Sequence, residues 1–323
     1  MTGSATQVIR DADLILSLDW IDLGGTLRQA CDGELPRSTV VQCSVDQYVH
    51  NGHNMDHQAL PPTDLSILAP PDTLVSALLA TLGPRSGKPI KSWFVAPTEA
   101  AAVPSEPPDQ AKTQASDRLP LGDLARVTTE TLAPHRPSYI RLPLGWPGEY
   151  CRFSHPLDYI GFDGSGGIGS GPGMAVGAAL ALRGGDRLPV AVLGDGDYLM
   201  GVTALWTGVH YRVPVLIIVA NNESFFNDEL HQERMARLRG RPVENRWIGV
   251  RMSDPAMDLA GLARDQGANG YGPVRTVDEL AAAIAQGIAD VHAGAMAVID
   301  VRVAPEYSRA VSSSLMRNIA ARS

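Results

Sequence analysis

Asp195 and Asn222 are the residues of this chain whose types and spacing point most directly to chemistry. Asp195 lies between Gly194 and Gly196, and Asn222 closes an Asn-Asn pair. A carboxylate oxygen and an amide oxygen are hard ligands of the kind that Mg²⁺ takes together with substrate phosphates. The two glycines allow the backbone to approach a phosphate closely, and a helix beginning after them would favour an anion. These residues predict a site for a divalent cation and a phosphorylated ligand.

The elements around these two clusters should place them at one edge of a sheet. An apolar run at 190–193 predicts a buried strand that stops at the glycine motif, and a second run at 215–220 ends at the Asn pair. Between them, apolar residues recur at helical spacing, namely Leu199, Val202, Leu205, Trp206 and Val209. A strand–helix–strand crossover joins parallel strands, so both clusters should lie at carboxyl ends, where open α/β sheets bind ligands.

A GDG motif followed after 24 residues by NN resembles the fingerprint of the diphosphate-binding (PP) domain of thiamine-diphosphate enzymes of the acetolactate synthase, pyruvate decarboxylase and benzaldehyde lyase group. The resemblance implies that thiamine diphosphate and Mg²⁺ bind here. It implies that the Asp195 and Asn222 side chains and the Ser224 backbone carbonyl are the metal ligands. The further cofactor-binding positions are Gly194, Gly196, Asp197 and Phe225. The alternative is that Asp195 and Asn222 only cap turns, as isolated GD or NN pairs usually do.

Asp197 departs from the pattern of that family, in which this position often carries a small or hydroxyl residue close to the phosphates. A carboxylate that faces a diphosphate would repel it. We therefore expect the Asp197 side chain to turn away from the phosphates and its backbone N–H to serve in its place.

Two residues receive catalytic roles from the same resemblance. Ile168, in a glycine-rich segment, aligns with an apolar residue that packs under the cofactor and forces it into a bent V shape. Asp228 aligns with a catalytic glutamate of the pyruvate decarboxylases, in a charge-rich segment at 226–247 that corresponds to a mobile lid over the substrate. The alternatives are that Ile168 is an ordinary core residue and that the charged segment is a solvated helix with i,i+4 ion pairs.

The glycine-rich segment also keeps a second function open. Gly164-x-Gly166-x-x-Gly169 matches the dinucleotide-binding fingerprint and precedes a predicted helix, in which Met174, Val176 and Leu180 should face the core. The acidic residue that such a site needs on a second strand end is not evident. The glycine spacing still makes a nicotinamide-dinucleotide dehydrogenase an alternative function.

The whole chain, of 323 residues, predicts an α/β protein: a truncated Rossmann-like domain followed by a doubly wound parallel-sheet thiamine-diphosphate-binding domain. In the first domain, residues 8–30 predict a strand and then a helix, and strands follow at 38–43 and 65–68 with a helix at 72–82. In the second, a helix at 256–266, a capping box at Thr276 and Glu279, and a strand at 297–303 are predicted. The predicted divisions are a partial central α/β domain at 1–96, a Pro-rich linker at 97–118, the cofactor-binding domain at 119–305 and a tail at 306–323.

Composition and charge argue against several classes of partner. A net charge of −8 without a basic run argues against nucleic acid and anionic membranes. No apolar run is long enough to span a bilayer, no signal-peptide pattern is present, and three scattered cysteines fit a reducing compartment, so we expect a cytoplasmic protein. His50, His53 and His57 share one polar loop, whose spacing suits either a metal site or a His-rich surface.

The family resemblance covers the second half of a central domain and the diphosphate domain, and the domain that contacts the aminopyrimidine ring with a glutamate is missing. We therefore expect a split enzyme, in which a second subunit carries the pyrimidine-binding domain in a hetero-oligomer with two copies of each chain. The implied reaction makes or breaks C–C bonds next to a carbonyl in a 2-oxo acid or 2-hydroxy ketone, by decarboxylation, carboligation or lysis. The alternatives are a fragment, an inactive homologue, and a non-catalytic or regulatory subunit with a vestigial cofactor site.

Overall fold

The computed structural model describes residues 3–20, 22–45, 60–83, 117–161 and 167–306. The chain divides into two compact units, Met1–Thr113 and Gln114–Ser323, which are taken separately below. The three histidines of the polar loop, nearly all of the Pro-rich linker, Gly164, Gly166 and the tail from 307 lie outside the described residues. Among the described helices, none combines the length and the apolar character that crossing a bilayer requires.

The first unit is built on a parallel sheet of β1 (Leu14–Leu18), β2 (Thr39–Cys43) and β3 (Leu65–Ile67), in that order. Its helices are α1 (Gly3–Asp11), α2 (Leu23–Ala30) and α3 (Pro71–Leu82). Leu23 and Leu27 of α2 pack with Val40 of β2 in a small core. The predicted strands and helices are confirmed, except that residues 8–11 belong to α1. This helix was not predicted.

The second unit is a parallel sheet with the strand order β4-β5-β6-β8-β7 in the part that the structure describes. Its strands are β4 (Pro137–Arg141), β5 (Leu188–Gly194), β6 (Leu216–Asn221), β7 (Asn269–Val274) and β8 (Ala297–Arg302). Its helices are α4 (Leu121–Leu132), α5 (Gly171–Ala181), α6 (Asp195–Gly201), α7 (Ala204–His210), α8 (Phe226–Leu238), α9 (Leu259–Asp265) and α10 (Val277–His292).

Both faces of this sheet are covered by helices, because the strand side chains alternate between two cores. Val190 and Val192 of β5 belong to one core, with Leu124 of α4 and residues of α10. Leu193 belongs to the other core, with Ala175 of α5 and residues of α7 and α9. The predicted doubly wound architecture is therefore confirmed, and β5 and β6 are parallel neighbours as the crossover required.

The helix predicted between these two strands is interrupted. It forms as α6 and α7, separated at 202–203, so the helical period does not run continuously along it. Leu205 is buried, but Trp206 is 56% exposed and stacks on His210, with ring centroids 5.0 Å apart. In α5 the prediction for Leu180 is also wrong, since this side chain is 49% exposed and the small residues of the helix contact the sheet instead.

Strand β7 was not predicted, because its sequence carries the residues that normally break a strand. Gly270, Gly272 and Pro273 lie within it, and Pro has no N–H to donate to a neighbour. The strand is the outermost one beside β8, where a missing donor is tolerated. The other predictions for this region hold: Thr276 and Glu279 form the capping box of α10, and the strand at 297–303 is β8.

Candidate functional site

The carboxyl ends of β5 and β6 bring the two predicted metal ligands together. Gly194 lies opposite Ala220 in the parallel register, so the residues that follow both strands are neighbours. The backbone N–H of Ser224 donates to Asp195 Oδ2 at 3.2 Å and to Asn222 Oδ1 at 2.9 Å. Two side-chain oxygens, one from the residue after β5 and one from the residue after β6, therefore accept from one backbone donor. The Asn222 bond is a local turn contact, whereas the Asp195 bond joins residues 29 positions apart, so Asp195 does more than cap its own turn.

Asp195 is a buried carboxylate without a basic partner among the residues that the structure describes. It is the first residue of α6 and is 3% exposed. Burial raises its pKa to about 6, although hydrogen bonds from the backbone N–H groups of Gly196, Glu223 and Ser224 act in the opposite direction. Within the described ranges no Lys, Arg or His forms an ion pair with it. A cation at this position would compensate a charge that is costly to bury alone, so the site fits a metal ion.

The ligand types at this site fit Mg²⁺ better than a transition metal. In the described parts of the chain no group of three or more His, Cys, Asp or Glu residues is placed to hold a metal. Asp195 and Asn222 contribute one carboxylate and one amide oxygen, and the Ser224 carbonyl is the third predicted ligand. Mg²⁺ is commonly held by so few protein groups when phosphate oxygens complete its coordination.

Gly196 and Phe225 are in direct contact at the edge of this site. A Cβ added at Gly196 would lie 2.2 Å from Phe225 Cε1, so the ring packs against the backbone of the glycine motif. The Phe225 N–H donates to the Val250 carbonyl at 2.9 Å. Beside Gly194, no atom of the described residues lies within 4 Å of the position that a Cβ would take. The motif is thus closed on the Gly196 side by an aromatic ring and open at Gly194.

The Asp197 carboxylate is bound by groups of this chain. Its Oδ1 accepts from the backbone N–H groups of Gly169, at 2.7 Å, and Gly171, at 3.2 Å, and its Oδ2 lies 3.1 Å from Nε of Arg141. The side chain is therefore directed to the N-terminus of α5. The position of Asp197 relative to a diphosphate is still a prediction.

Ile168 lies in the turn before α5 and is 49% exposed, so it is not an ordinary core residue. The next residue, Gly169, has φ +97, and a Cβ there would lie 2.9 Å from Met200 Cβ. Only glycine allows this conformation so close to α6. The contact of Ile168 with a cofactor stays a prediction, and a tightly packed turn presents the side chain for it.

Asp228 and its neighbour Glu229 differ sharply in environment. Asp228 is exposed in the first turn of α8. Glu229 is 3% exposed, accepts from the Ser224 hydroxyl at 2.6 Å, and forms two hydrogen bonds of 2.9 and 3.0 Å with Arg251. Burial acts to raise the Glu229 pKa, but the bonds from Arg251 and Ser224 outweigh it, and the pKa is lowered. The catalytic role predicted for Asp228 stays a prediction, and Glu229 was missed because Arg251, the partner that forms its ion pair, is 22 positions away.

A group of charged side chains lies beneath the Asn222–Ser224 loop and was also missed. Glu223 forms ion pairs with Arg118 and Arg302. Asp300, which is fully buried, accepts from the Asn221 side-chain amide at 2.8 Å, and burial raises its pKa. One signal was available: Asp300 and Arg302 are charged residues within the otherwise apolar strand β8, and such residues need partners.

Comparisons with known proteins agree with this geometry. Residues 144–301 match the family model of the thiamine pyrophosphate enzyme C-terminal TPP-binding domain. Benzoylformate decarboxylase from Pseudomonas aeruginosa is 41% identical over 64 residues, which are 20% of this chain and 12% of that protein. The acetolactate synthase large subunit from Parasynechococcus marenigrum is 26% identical over 284 residues, which are 83% of this chain and 40% of that protein.

Two solved structures share the fold. A thiamine diphosphate-dependent 4-hydroxybenzoylformate decarboxylase from Rhodococcus jostii matches with a TM-score of 0.65 and 22% identity, over 94% of this chain and 51% of that one. Benzoylformate decarboxylase from Polynucleobacter necessarius matches with a TM-score of 0.63 and 21% identity, over 95% of this chain and 52% of that one. The chain thus spans about half the length of these structures.

Proposed function

Because residues 144–301 match the family model of the C-terminal TPP-binding domain of thiamine pyrophosphate enzymes, we propose that this chain binds thiamine diphosphate through Mg²⁺ and acts on C–C bonds next to a carbonyl. The observation that carries the proposal is the Ser224 N–H shared between Asp195 Oδ2 and Asn222 Oδ1. A divalent cation would give the buried Asp195 carboxylate its missing positive partner and would bind the two phosphates.

The residues of this chain have binding and orienting roles in the proposal. Asp195, Asn222 and the Ser224 carbonyl hold the metal, while Phe225 forms a wall beside the glycine motif. Ile168 would lie against the bound cofactor and help to hold it in position. Bound thiamine diphosphate supplies the carbon nucleophile and the electron sink that the protein side chains lack.

The relatives support a 2-oxo acid as the substrate class. Benzoylformate and 4-hydroxybenzoylformate, named in three of the matched proteins, are 2-oxo acids, and acetolactate synthase names a carboligation product. We propose decarboxylation of a 2-oxo acid, with protonation or carboligation of the product, as the reaction. Lysis of a 2-hydroxy ketone is the reverse of the carboligation.

A second polypeptide is proposed to complete the site with a pyrimidine-binding domain, in an assembly with two copies of each chain. Apolar side chains support this proposal: Ile168 is 49% exposed, and Trp247 and Ile248, just beyond α8, are 46% and 55% exposed. A continuous patch of exposed apolar side chains commonly marks an interface with another chain, and the proposal takes these three residues as parts of such a patch.

Turnover assays test the proposed function. The chain is mixed with thiamine diphosphate, Mg²⁺ and benzoylformate or pyruvate, with and without a candidate partner that carries a pyrimidine-binding domain. We expect CO₂ release only with the partner, and we expect it to disappear when the partner's activating glutamate is replaced. Robust turnover by this chain alone would contradict the second polypeptide. Cofactor binding without turnover in any mixture would favour a regulatory subunit with a vestigial site.

A titration with NAD⁺ and NADP⁺ separates the proposal from the dehydrogenase alternative, which the glycine-rich segment keeps open. We expect no saturable binding of either dinucleotide at concentrations at which thiamine diphosphate saturates. Tight dinucleotide binding combined with no thiamine diphosphate binding would favour the dehydrogenase.

A further inference from the structure

Glu223 occupies the position between two predicted metal ligands and has an unusual backbone conformation. Its φ of +58 lies in the left-handed region, which residues other than glycine seldom adopt. Its N–H donates to Asn221 Oδ1 at 3.1 Å, and its carbonyl accepts from the Met252 N–H at 2.8 Å. This conformation sets the direction of the chain between Asn222 and Ser224, and so lets the Ser224 N–H reach both metal-binding side chains.

The Glu223 side chain is held by two arginines. Arg118 pairs with one carboxylate oxygen and Arg302, the last residue of β8, pairs with the other. Arg118 also donates to the backbone carbonyl of Asn222 at 3.2 Å. The Glu223 and Arg302 side chains are only 13% and 9% exposed, so their interaction is less screened by water than that of a surface pair. The arginines therefore fix both the side chain of Glu223 and the backbone before it.

Charge gives Glu223 a second effect on the same site. Without its carboxylate, two guanidinium groups would lie beneath the metal loop with one fewer negative charge to balance them. Asp300 lies 3.7 Å from Arg302 but shares its carboxylate with the Asn221 amide. Unbalanced positive charge close to a divalent cation weakens its binding.

We propose that Glu223, held by Arg118 and Arg302, is a positioning residue for the metal site. It maintains the left-handed turn that aligns Asn222 and Ser224, and it neutralises the two arginines beneath the cation. The inference rests on the proposed function, because it assigns Glu223 a role toward the metal of that site.

Substitutions at Glu223 separate the effect of its side chain from the effect of its backbone conformation. Glu223→Gln keeps the size and removes the charge, while Glu223→Gly removes the side chain and adopts the left-handed conformation without strain. Both should weaken Mg²⁺ binding about tenfold in calorimetry with saturating thiamine diphosphate, as loss of groups that orient metal ligands typically does. The matched control is Glu130→Gln on α4, which removes the same charge from a side chain that is 64% exposed, and it should bind as wild type does.

Two further readouts distinguish positioning from a general loss of stability. Mn²⁺ in place of Mg²⁺ should give an altered electron paramagnetic resonance spectrum in Glu223→Gln, while the metal-free melting temperature stays within a few degrees of wild type. Arg118→Gln should weaken Mg²⁺ binding to a similar degree. The double variant should lose less binding free energy than the sum of the two single losses. If a Glu223 variant fails to fold, Arg118→Gln tests the same interaction from the other side.

Wild-type affinity in Glu223→Gly would overturn the proposal, because the backbone conformation alone would then suffice. Additive effects of the two variants would overturn it as well. If the wild-type chain binds neither Mg²⁺ nor thiamine diphosphate, the proposed function itself fails. If the wild-type chain binds both Mg²⁺ and thiamine diphosphate and the Glu223 variants bind them equally tightly, only this inference fails.

Discussion

At the residue scale, the Phe225 ring leaves no room for a side chain at Gly196. A Cβ at this position would lie 2.2 Å from the Phe225 ring, whose backbone N–H is fixed on Val250. We predict that Gly196→Ala displaces the ring, lowers the free energy of unfolding by about 1–3 kcal/mol, and abolishes thiamine diphosphate binding. Urea unfolding and calorimetry measure the two effects. Gly173→Ala, at a position in α5 where the described residues leave space for a Cβ, is the control: it should leave thiamine diphosphate binding unchanged and should not lower the free energy of unfolding.

Ile168 should affect turnover without affecting folding. Its side chain is 49% exposed, so truncation leaves no core cavity. We predict that Ile168→Ala keeps its melting temperature and binds thiamine diphosphate and Mg²⁺ within about twofold of wild type, because the phosphate contacts are elsewhere. In the assembled enzyme its kcat should fall, since the cofactor loses the support for its bent shape. Unchanged kcat would remove Ile168 from the site.

Local motifs made some of these residues predictable and left others hidden. Asp195 and Asn222 were found because each belongs to a short motif at the end of an apolar run, and parallel strands bring such ends together. Glu229 was not found, because its bonds join it to Ser224 and Arg251, and no short pattern encodes the second contact. Glu223 is hidden for the same reason, since Arg118 is 105 positions away in the chain.

At the scale of secondary-structure elements, helix α8 is weakly packed, as a lid is expected to be. Glu229 is its one buried residue, and the chain on either side is joined by the Ser224–Arg251 bridge. Weakly packed segments open first, so we predict that trypsin cuts within 226–247 before other described regions when cofactor is absent. Thiamine diphosphate with Mg²⁺ should slow this cleavage. Mass spectrometry of the first fragments gives the sites, and equal cleavage rates in both states would contradict a lid.

The turn Pro156–Asp158 should make stability depend on pH. A hydrogen bond from Arg187 and backbone N–H bonds from Ser154 and His155 lower the Asp158 pKa well below its ordinary value. A carboxylate with a lowered folded-state pKa stabilises the protein above the pKa of the unfolded chain, and this contribution is lost as pH falls below about 4. We predict that Asp158→Asn costs about 1 kcal/mol at pH 7 and less at pH 3. Urea unfolding at both values measures this, and an equal cost at both pH values would exclude the charge as the cause.

Among the elements, buried strands were the most predictable. β5, β6 and β8 are mostly apolar and fully or almost fully buried, so their sequences mark them even though β8 includes Asp300 and Arg302. β7 escaped prediction because its edge position tolerates Gly and Pro, which its own sequence cannot reveal. The break between α6 and α7 was missed because the apolar pattern continues across it while the backbone does not.

At the scale of the whole molecule, the comparisons support the similarity of the second unit to TPP-binding domains, and they do not test the proposed assembly with a second polypeptide. Residues 144–301 carry the family match, and the chain spans 40% of the acetolactate synthase relative. The proposed partner, substrate and reaction therefore depend on experiments with the assembled enzyme. The proposed metal and diphosphate ligands are all residues of this chain, so that part of the proposal can be tested with the chain alone.

The most direct test is calorimetric titration of this chain with thiamine diphosphate in the presence of Mg²⁺ or of a chelator. The account predicts saturable binding that needs Mg²⁺, and at least about a hundredfold weaker binding in Asp195→Asn, which removes the charged ligand at constant size. Asp186→Asn, at a side chain that is 68% exposed and paired with Arg136, should bind as wild type does. Binding that is independent of Mg²⁺, or equally tight in Asp195→Asn, would contradict the assignment of this site.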